Sequence, residues 1–273
     1  YDAVLCTHVF SAMMMTELKK RRKCGIKTYF VATDYTCSPG VNQTALDAYF
    51  IPHKKLIDEF AANGIPRSKL IPTGIPVRIA FYGKEDPETA KSELSLPAGR
   101  KTVLLMCGSM GCGPIKALAE CLPYQMPPDS VLVVICGNNT RLYKTLTKYP
   151  QPENLRIIGY TAKMPLYMDA ADLILTKPGG LSTTEAAVKG LPMLFINAVP
   201  GCETRNYEFF LKGGGADMRG TVTELCDAVC DCLEDSERLS RMSETLKSDF
   251  PACAVEAIRN YVLKDVDCVY GKL

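Results

Sequence analysis

Two stretches of this sequence set glycines and hydroxyl side chains where an apolar run gives way to a helical pattern, which is the local chemistry of an anion-binding turn. In the first, Val103-Leu104-Leu105-Met106-Cys107 runs into Gly108-Ser109-Met110-Gly111-Cys112-Gly113. Glycines let the backbone approach an anion closely, and exposed amides together with the Ser109 hydroxyl can donate to a phosphate. In the second, Leu173-Ile174-Leu175-Thr176-Lys177-Pro178-Gly179-Gly180 is followed by Leu181-Ser182-Thr183-Thr184-Glu185. The amides after Gly179 suit a diphosphate, and Glu185, one turn on, suits a ribose diol. The same residues also make an ordinary helix start, with Ser182 or Thr183 as cap and Glu185 complementing the dipole, an arrangement worth about 1 kcal/mol. The glycine spacing of the first turn is not that of the dinucleotide fingerprint, which argues against an oxidoreductase.

Other candidate chemistry is sparse. Lys19-Lys20-Arg21-Arg22-Lys23 closes a predicted helix. Those cations suit either a solvated helix end or an anionic membrane surface, where each basic residue is worth about 1 kcal/mol. Phe10 and Met13-Met14-Met15 suit either apolar insertion into that surface or a core. His8 and His53 read as structural, and Cys226, Cys230 and Cys232 lack the spacing of a zinc site. No metal and no cofactor is expected. The net charge of +2 gives no global argument for nucleic acid, and no apolar run reaches the ~18 residues of a membrane span. Thirteen cysteines at irregular spacing, with no signal peptide, suit free thiols in a reducing cytosol. The expected location is cytoplasmic, peripheral on the cytosolic face of a membrane.

The elements that must position these turns follow from the pattern. Short apolar or β-branched runs alternate with amphipathic stretches, as in parallel strands joined by crossover helices. Strands are expected at Val4-Thr7, Thr28-Ala32, Ala48-Ile51 and Leu70-Thr73, with helices at Phe10-Lys23 and His53-Asn63. A second series is expected at Thr102-Cys107, Val131-Cys136, Leu155-Ile158, Leu173-Thr176 and Met193-Asn197, each strand followed by a helix. Ile115, Leu118, Ala119 and Leu122 recur at helical spacing, and Thr221 with Glu224 forms a capping box. The class is α/β, with residues 1–96 a partial N-terminal domain and linker, 97–250 a doubly wound domain, and 251–273 a terminal helix packing back on the first. In such sheets ligands bind beyond the carboxyl ends of the strands, where both glycine turns fall.

The run from Lys177 to Ala186, with Gly190-Leu191-Pro192, then Pro200-Gly201-Cys202-Glu203 and Asn206, resembles the donor site of the diacylglycerol glucosyltransferases and monogalactosyldiacylglycerol synthases. These are relatives of the peptidoglycan N-acetylglucosaminyltransferase. Thr33-Asp34-Tyr35, Tyr49-Phe50-Ile51-Pro52 and Ile71-Pro72-Thr73-Gly74-Ile75-Pro76-Val77 extend the similarity along nearly the whole chain. The resemblance implies a GT-B fold, two Rossmann-like domains with a cleft between, the N-terminal one incomplete here. It implies inverting, metal-independent transfer of a hexose from UDP-glucose or UDP-galactose to diacylglycerol. Gly108, Ser109, Met110 and Gly111 with Gly179, Gly180, Leu181, Ser182 and Thr183 would hold the diphosphate, and Glu185 the ribose. Tyr160, Thr161 and Met164 would receive uracil, Cys202, Glu203 and Asn206 the sugar, and Asp34 would orient the acceptor. Cys202 stands where the family has Gln, which leaves the sugar open, and Ser38 where many members have His, which leaves the acceptor open. The family's glycine-rich loop with its histidine would precede Tyr1. Without it, a nucleotide-binding module lacking catalysis is the rival expectation, and an N-acetylglucosamine transferase is the rival enzyme.

Overall fold

The computed structural model describes residues 1–22, 25–108, 113–218, 220–250 and 253–270, with the backbone alone for 267–270. Ser109, Met110 and Gly111 of the first glycine turn, and Lys23 of the basic run, lie outside the described residues. The chain divides into two units, Tyr1–Ile79 with Ala252–Leu273, and Ala80–Pro251.

In the first unit, short β-branched and aromatic runs form β1 (Ala3–Cys6), β2 (Lys27–Val31), β3 (Ala48–Ile51) and β4 (Leu70–Pro72), all parallel and paired in that order. Strands buried on both faces need apolar side chains throughout, and Ala48–Ile51 is buried at every position. α1 (Val9–Arg22) and α2 (Ile57–Ala62) are the crossovers. The terminal helix α11 (Ala254–Tyr270) belongs to this unit. Its Ile258, Tyr261 and Val262 pack on Tyr29, Val31 and Phe50, and Tyr261 stands edge-on to both Tyr29 and Phe50. The Asp-x-Asp spacing of Asp265 and Asp267 falls in this helix, where Asp265 bonds Tyr29 and Lys27.

The basic run does not act as one patch. Lys19 Nζ lies 2.7 Å from Asp47 Oδ2, and Asp47 also accepts from the Thr28 amide, so Lys19 ties α1 to the start of β2. Lys20, Arg21 and Arg22 are exposed. Ala12 and Thr16 face inward, leaving Phe10 (69% exposed), Met14 (72%) and Leu18 (38%) as an apolar stripe at four-residue spacing.

The second unit holds β5 (Lys101–Met106), α4 (Ile115–Gln125), β6 (Ser130–Ile135), α5 (Thr140–Leu146), β7 (Leu155–Ile158), α6 (Met164–Ala170) and β8 (Leu173–Thr176). It continues through α7 (Gly180–Lys189), β9 (Met193–Phe195), α8 (Cys202–Gly213), β10 (Ala216–Met218), α9 (Val222–Glu234) and α10 (Ser236–Asp249). The parallel sheet runs β10-β9-β8-β5-β6-β7. Chain order therefore reverses between β5 and β8, whose registers pair Val103 with Leu173 and Leu105 with Leu175.

Two features differ from the sequence reading. Residues 74–99, read as the interdomain connection, contain α3 (Pro87–Glu93), capped by Asp86 Oδ1 accepting from the Glu88 and Thr89 amides. α3 packs on α6 in the second unit, with Lys91 buried and donating to Glu88 and the Arg100 carbonyl. The strand β10 was masked in the sequence by the three glycines before it, which carry no periodic signal.

Candidate functional site

The point where strand order reverses opens a crevice beyond the carboxyl ends of two neighbouring strands, because the following helices depart to opposite faces. In this chain those strands are β5 and β8, and both glycine turns stand there. Gly108, two residues past β5, has φ +64°, a left-handed conformation that glycine adopts without strain. A Cβ added to Gly108 would sit 3.5 Å from Lys177 Cε, and one added to Gly179 would sit 3.9 Å from the same atom. One lysine side chain thus lies against both turns. Beyond the next strand, a Cβ at Gly113 would lie 3.7 Å from Asn197 Oδ1, so the turn after β9 borders the same place.

Two contacts tie the second turn to α8. Lys177 Nζ lies 2.5 Å from Glu203 Oε1 in the first turn of α8, while Glu203 Oε2 accepts from the Val199 amide at 3.0 Å. Asn206, one turn further along α8, donates through Nδ2 to the Pro178 carbonyl at 2.9 Å.

α7 begins at Gly180, with Gly179 as cap residue and no side-chain cap, so neither Ser182 nor Thr183 plays that part. The first-turn amides of Gly180, Leu181 and Ser182 precede any acceptor four residues back in the helix, and the dipole adds positive charge at this end. Leu181 is exposed and Ser182 part-buried, which leaves this end open. Thr183 differs. It is fully buried, its amide donates to the Gly179 carbonyl at 3.0 Å, and its hydroxyl donates to the same carbonyl at 2.8 Å. Both of its donors close the helical turn. Thr184 likewise donates to the Gly180 carbonyl at 2.6 Å. Glu185 is part-buried and shares the face of Leu181, one turn away.

Asn206 has no exposed surface, and its Nδ2 donation to the Pro178 carbonyl shapes the turn. Cys202 and Glu203 open α8 after Gly201, whose φ of +120° suits glycine. The segment read for uracil follows β7, two strands from β5, about 10 Å at ordinary strand spacing. There Tyr160 is 73% exposed, Thr161 Oγ1 accepts from the Lys163 amide at 3.0 Å, and Met164 opens α6. Asp34 belongs to the first unit, part-buried just past β2, in a loop pinned by Glu59 accepting from the Thr36 hydroxyl and Cys37 amide. His53 caps a short turn by accepting from the Lys55 amide.

A cavity of about 320 Å³ opens at the opposite end of the second sheet beside Lys101, Asp172 and Lys189. Lys189 pairs there with Asp169 and Lys101 with Asp172, so these charges are already matched. The sequence reading missed the Lys177–Glu203 pair. Its signal was a lysine at a strand end just before Pro-Gly-Gly, a place where cations meet phosphates.

Two parallel α/β sheets, with glycine turns at the reversal point of the second, define the chain as a GT-B protein of the nucleotide-sugar transferase kind. HepE of Anabaena, solved with UDP, shares this fold at a TM-score of 0.65 and 15% identity, over 97% of this chain and 79% of that one. The chain belongs to glycosyltransferase family 28: the family model for its C-terminal domain matches residues 102–255. The model for monogalactosyldiacylglycerol (MGDG) synthase matches residues 1–77. The resemblance read from the motifs is borne out. A processive diacylglycerol β-glucosyltransferase of Bacillus thuringiensis is 28% identical over 267 residues, 97% of this chain and 68% of the relative. One of Staphylococcus saprophyticus is 31% identical over 248 residues, 90% of this chain and 62% of the relative. The chain thus spans about two thirds of the length of the curated relatives it matches.

Proposed function

We propose that this protein transfers a hexose, glucose first, from its UDP donor to diacylglycerol and so makes a glycolipid. The observation that carries the reading is the meeting of two glycine turns and one lysine where β5 and β8 reverse the strand order. The names of the relatives supply the substrates.

The acceptor hydroxyl attacks the anomeric carbon with inversion, the bond from that carbon to the diphosphate oxygen breaks, and the electron pair leaves with UDP. Amides at Gly180, Leu181 and Ser182 stabilise the charge that builds on the diphosphate, a stabilisation that matters most in a site shielded from water. In this reading Glu185 accepts from the ribose, the backbone near Thr161 with Tyr160 and Met164 receives uracil, and Cys202 and Glu203 meet the sugar. Ser109, Met110 and Gly111 complete the diphosphate cradle, and Asp34 takes the acceptor proton. The membrane side of the reading rests on α1, where Phe10, Met14 and Leu18 lie exposed along the helix that ends in Lys20, Arg21 and Arg22. That pairing suits a helix lying on an anionic leaflet. No helix among the described residues is long and apolar enough to cross a membrane.

Calorimetry with UDP, UDP-glucose, UDP-galactose and UDP-N-acetylglucosamine tests the donor, and labelled sugar incorporation into vesicles containing diacylglycerol tests the transfer. UDP is expected to bind at micromolar concentration and at least tenfold more weakly to Glu185→Ala. Unchanged affinity in that variant overturns the ribose assignment. UDP binding without incorporation makes the chain a nucleotide-binding module, and preference for UDP-N-acetylglucosamine makes it an aminosugar transferase.

A further inference from the structure

Lys177 has two claims on its ammonium. Its Nζ lies 2.5 Å from Glu203 Oε1, and its Cε sits within ordinary contact of where side chains on Gly108 and Gly179 would stand. The pair is neither sealed nor solvated, with the lysine side chain 32% exposed and the glutamate 16%. A cation so placed takes the best anion within reach. In this structure that anion is Glu203. A diphosphate seated in them brings more negative charge and more acceptor oxygens than one carboxylate, next to helix amides that also favour it.

We propose, resting on the donor reading above, that Lys177 is the cation for the leaving group and that it exchanges Glu203 for the diphosphate when the donor binds. As the bond between anomeric carbon and diphosphate oxygen breaks, the electron pair moves onto the diphosphate. Lys177 stabilises that charge through N–H donors and keeps its proton. The exchange also changes Glu203. Held on Oε2 by the Val199 amide, it is left with Oε1 unpaired at the start of α8, where it can accept from hexose hydroxyls. Diphosphate binding and sugar recognition are thereby coupled through one ion pair: the carboxylate that reads the sugar is released only when a diphosphate has claimed the lysine.

Opposite effects of the two partners test this. Titrations of the full chain would use uridine, UDP and UDP-glucose against wild type, Lys177→Met, Lys177→Arg and Glu203→Gln, with thermal melts as a fold control. Lys177→Met is expected to bind UDP at least tenfold more weakly with uridine within twofold of wild type, and Lys177→Arg to recover part of the loss. Glu203→Gln removes the competitor, so UDP should bind as well as to wild type or more tightly, while the preference for UDP-glucose over UDP shrinks. A merely structural pair predicts the same loss from both variants, and that result overturns the proposal, as does Lys177→Met binding UDP like wild type. Failure of wild type to bind UDP at all sinks the donor reading instead.

Discussion

Tyr29 in β2 and Asp265 in α11, 236 positions apart in the chain, are joined by a 2.8 Å hydrogen bond from the phenol to Oδ2. Lys27 reaches Oδ1 of the same carboxylate at 3.1 Å. The terminal helix is therefore locked to the first sheet by polar bonds as well as by packing. Burial first, and then the bond to Asp265, push the Tyr29 phenol above its usual value, and the bond to Asp265 raises Lys27 despite its partial desolvation. Groups raised in the fold stabilise it below their unfolded values, about 10 for both, and that stability fades as pH rises through the folded ones. Asp265→Ala should cost about 1–3 kcal/mol, seen as a lower melting temperature at pH 7. Its deficit against wild type should shrink above pH ~10. A deficit that grows with pH contradicts the clamp.

Lys189, at the end of α7, has a side chain only 2% exposed that lies 2.6 Å from Asp169, whose side chain is 6% exposed, while also donating to the Gly83 carbonyl. Removing one member strands a buried charge, at a cost of about 3–5 kcal/mol. Lys189→Met should lower the denaturation midpoint accordingly, and Lys189→Met with Asp169→Leu should regain most of it. Equal midpoints for single and double variants would show that the pair is not coupled.

Asn206 supports the donor turn from beneath. Asn206→Ala leaves the Pro178 carbonyl without that donor and opens a small void, so about 1–3 kcal/mol of stability should go. UDP affinity should fall with it, because the carbonyl sits beside Gly179. A stable variant with full UDP affinity refutes this positioning role.

Burial pushes the Cys226 thiol up to about 12, helped by Cys121 at 3.0 Å, and pushes Cys37 and Cys136 up to about 11. Since the thiolate is the nucleophile, alkylation of native protein at pH 8 should spare these three while denatured protein reacts at all of them. Mass mapping of the modified cysteines checks it, and rapid native labelling of Cys226 contradicts the burial.

The exposed stripe on α1 should bind vesicles. Phe10→Ser with Met14→Ser should weaken co-sedimentation with anionic vesicles and leave the melting temperature nearly unchanged, since both side chains are mostly solvent-exposed. Added salt should weaken wild-type binding through Lys20, Arg21 and Arg22. Equal sedimentation of variant and wild type argues against this face.

The strands were legible because buried parallel strands demand unbroken apolar runs, as in Val131-Leu132-Val133-Val134. The capping box at Thr221 and Glu224 was legible because its two hydrogen bonds are local. Asp86-Pro87 carried an equally local start signal for α3, but the charges around it disguised a helix as a linker. Thr183 and Asn206 were opaque for a different reason: their types suit a ligand, and only the tertiary structure shows the Thr183 hydroxyl donating to the Gly179 carbonyl and Asn206 Nδ2 to the Pro178 carbonyl.

By itself the sequence determined what is local: apolar runs, helix ends, and two turns able to hold an anion, since these depend on neighbours a few residues away. Tertiary structure decided that β5 and β8 lie side by side, that Lys177 reaches Glu203, and that Asp265 returns to Tyr29. Strand order and long-range pairing come from packing the whole chain around shared cores, and no local spacing encodes which turn will stand beside which.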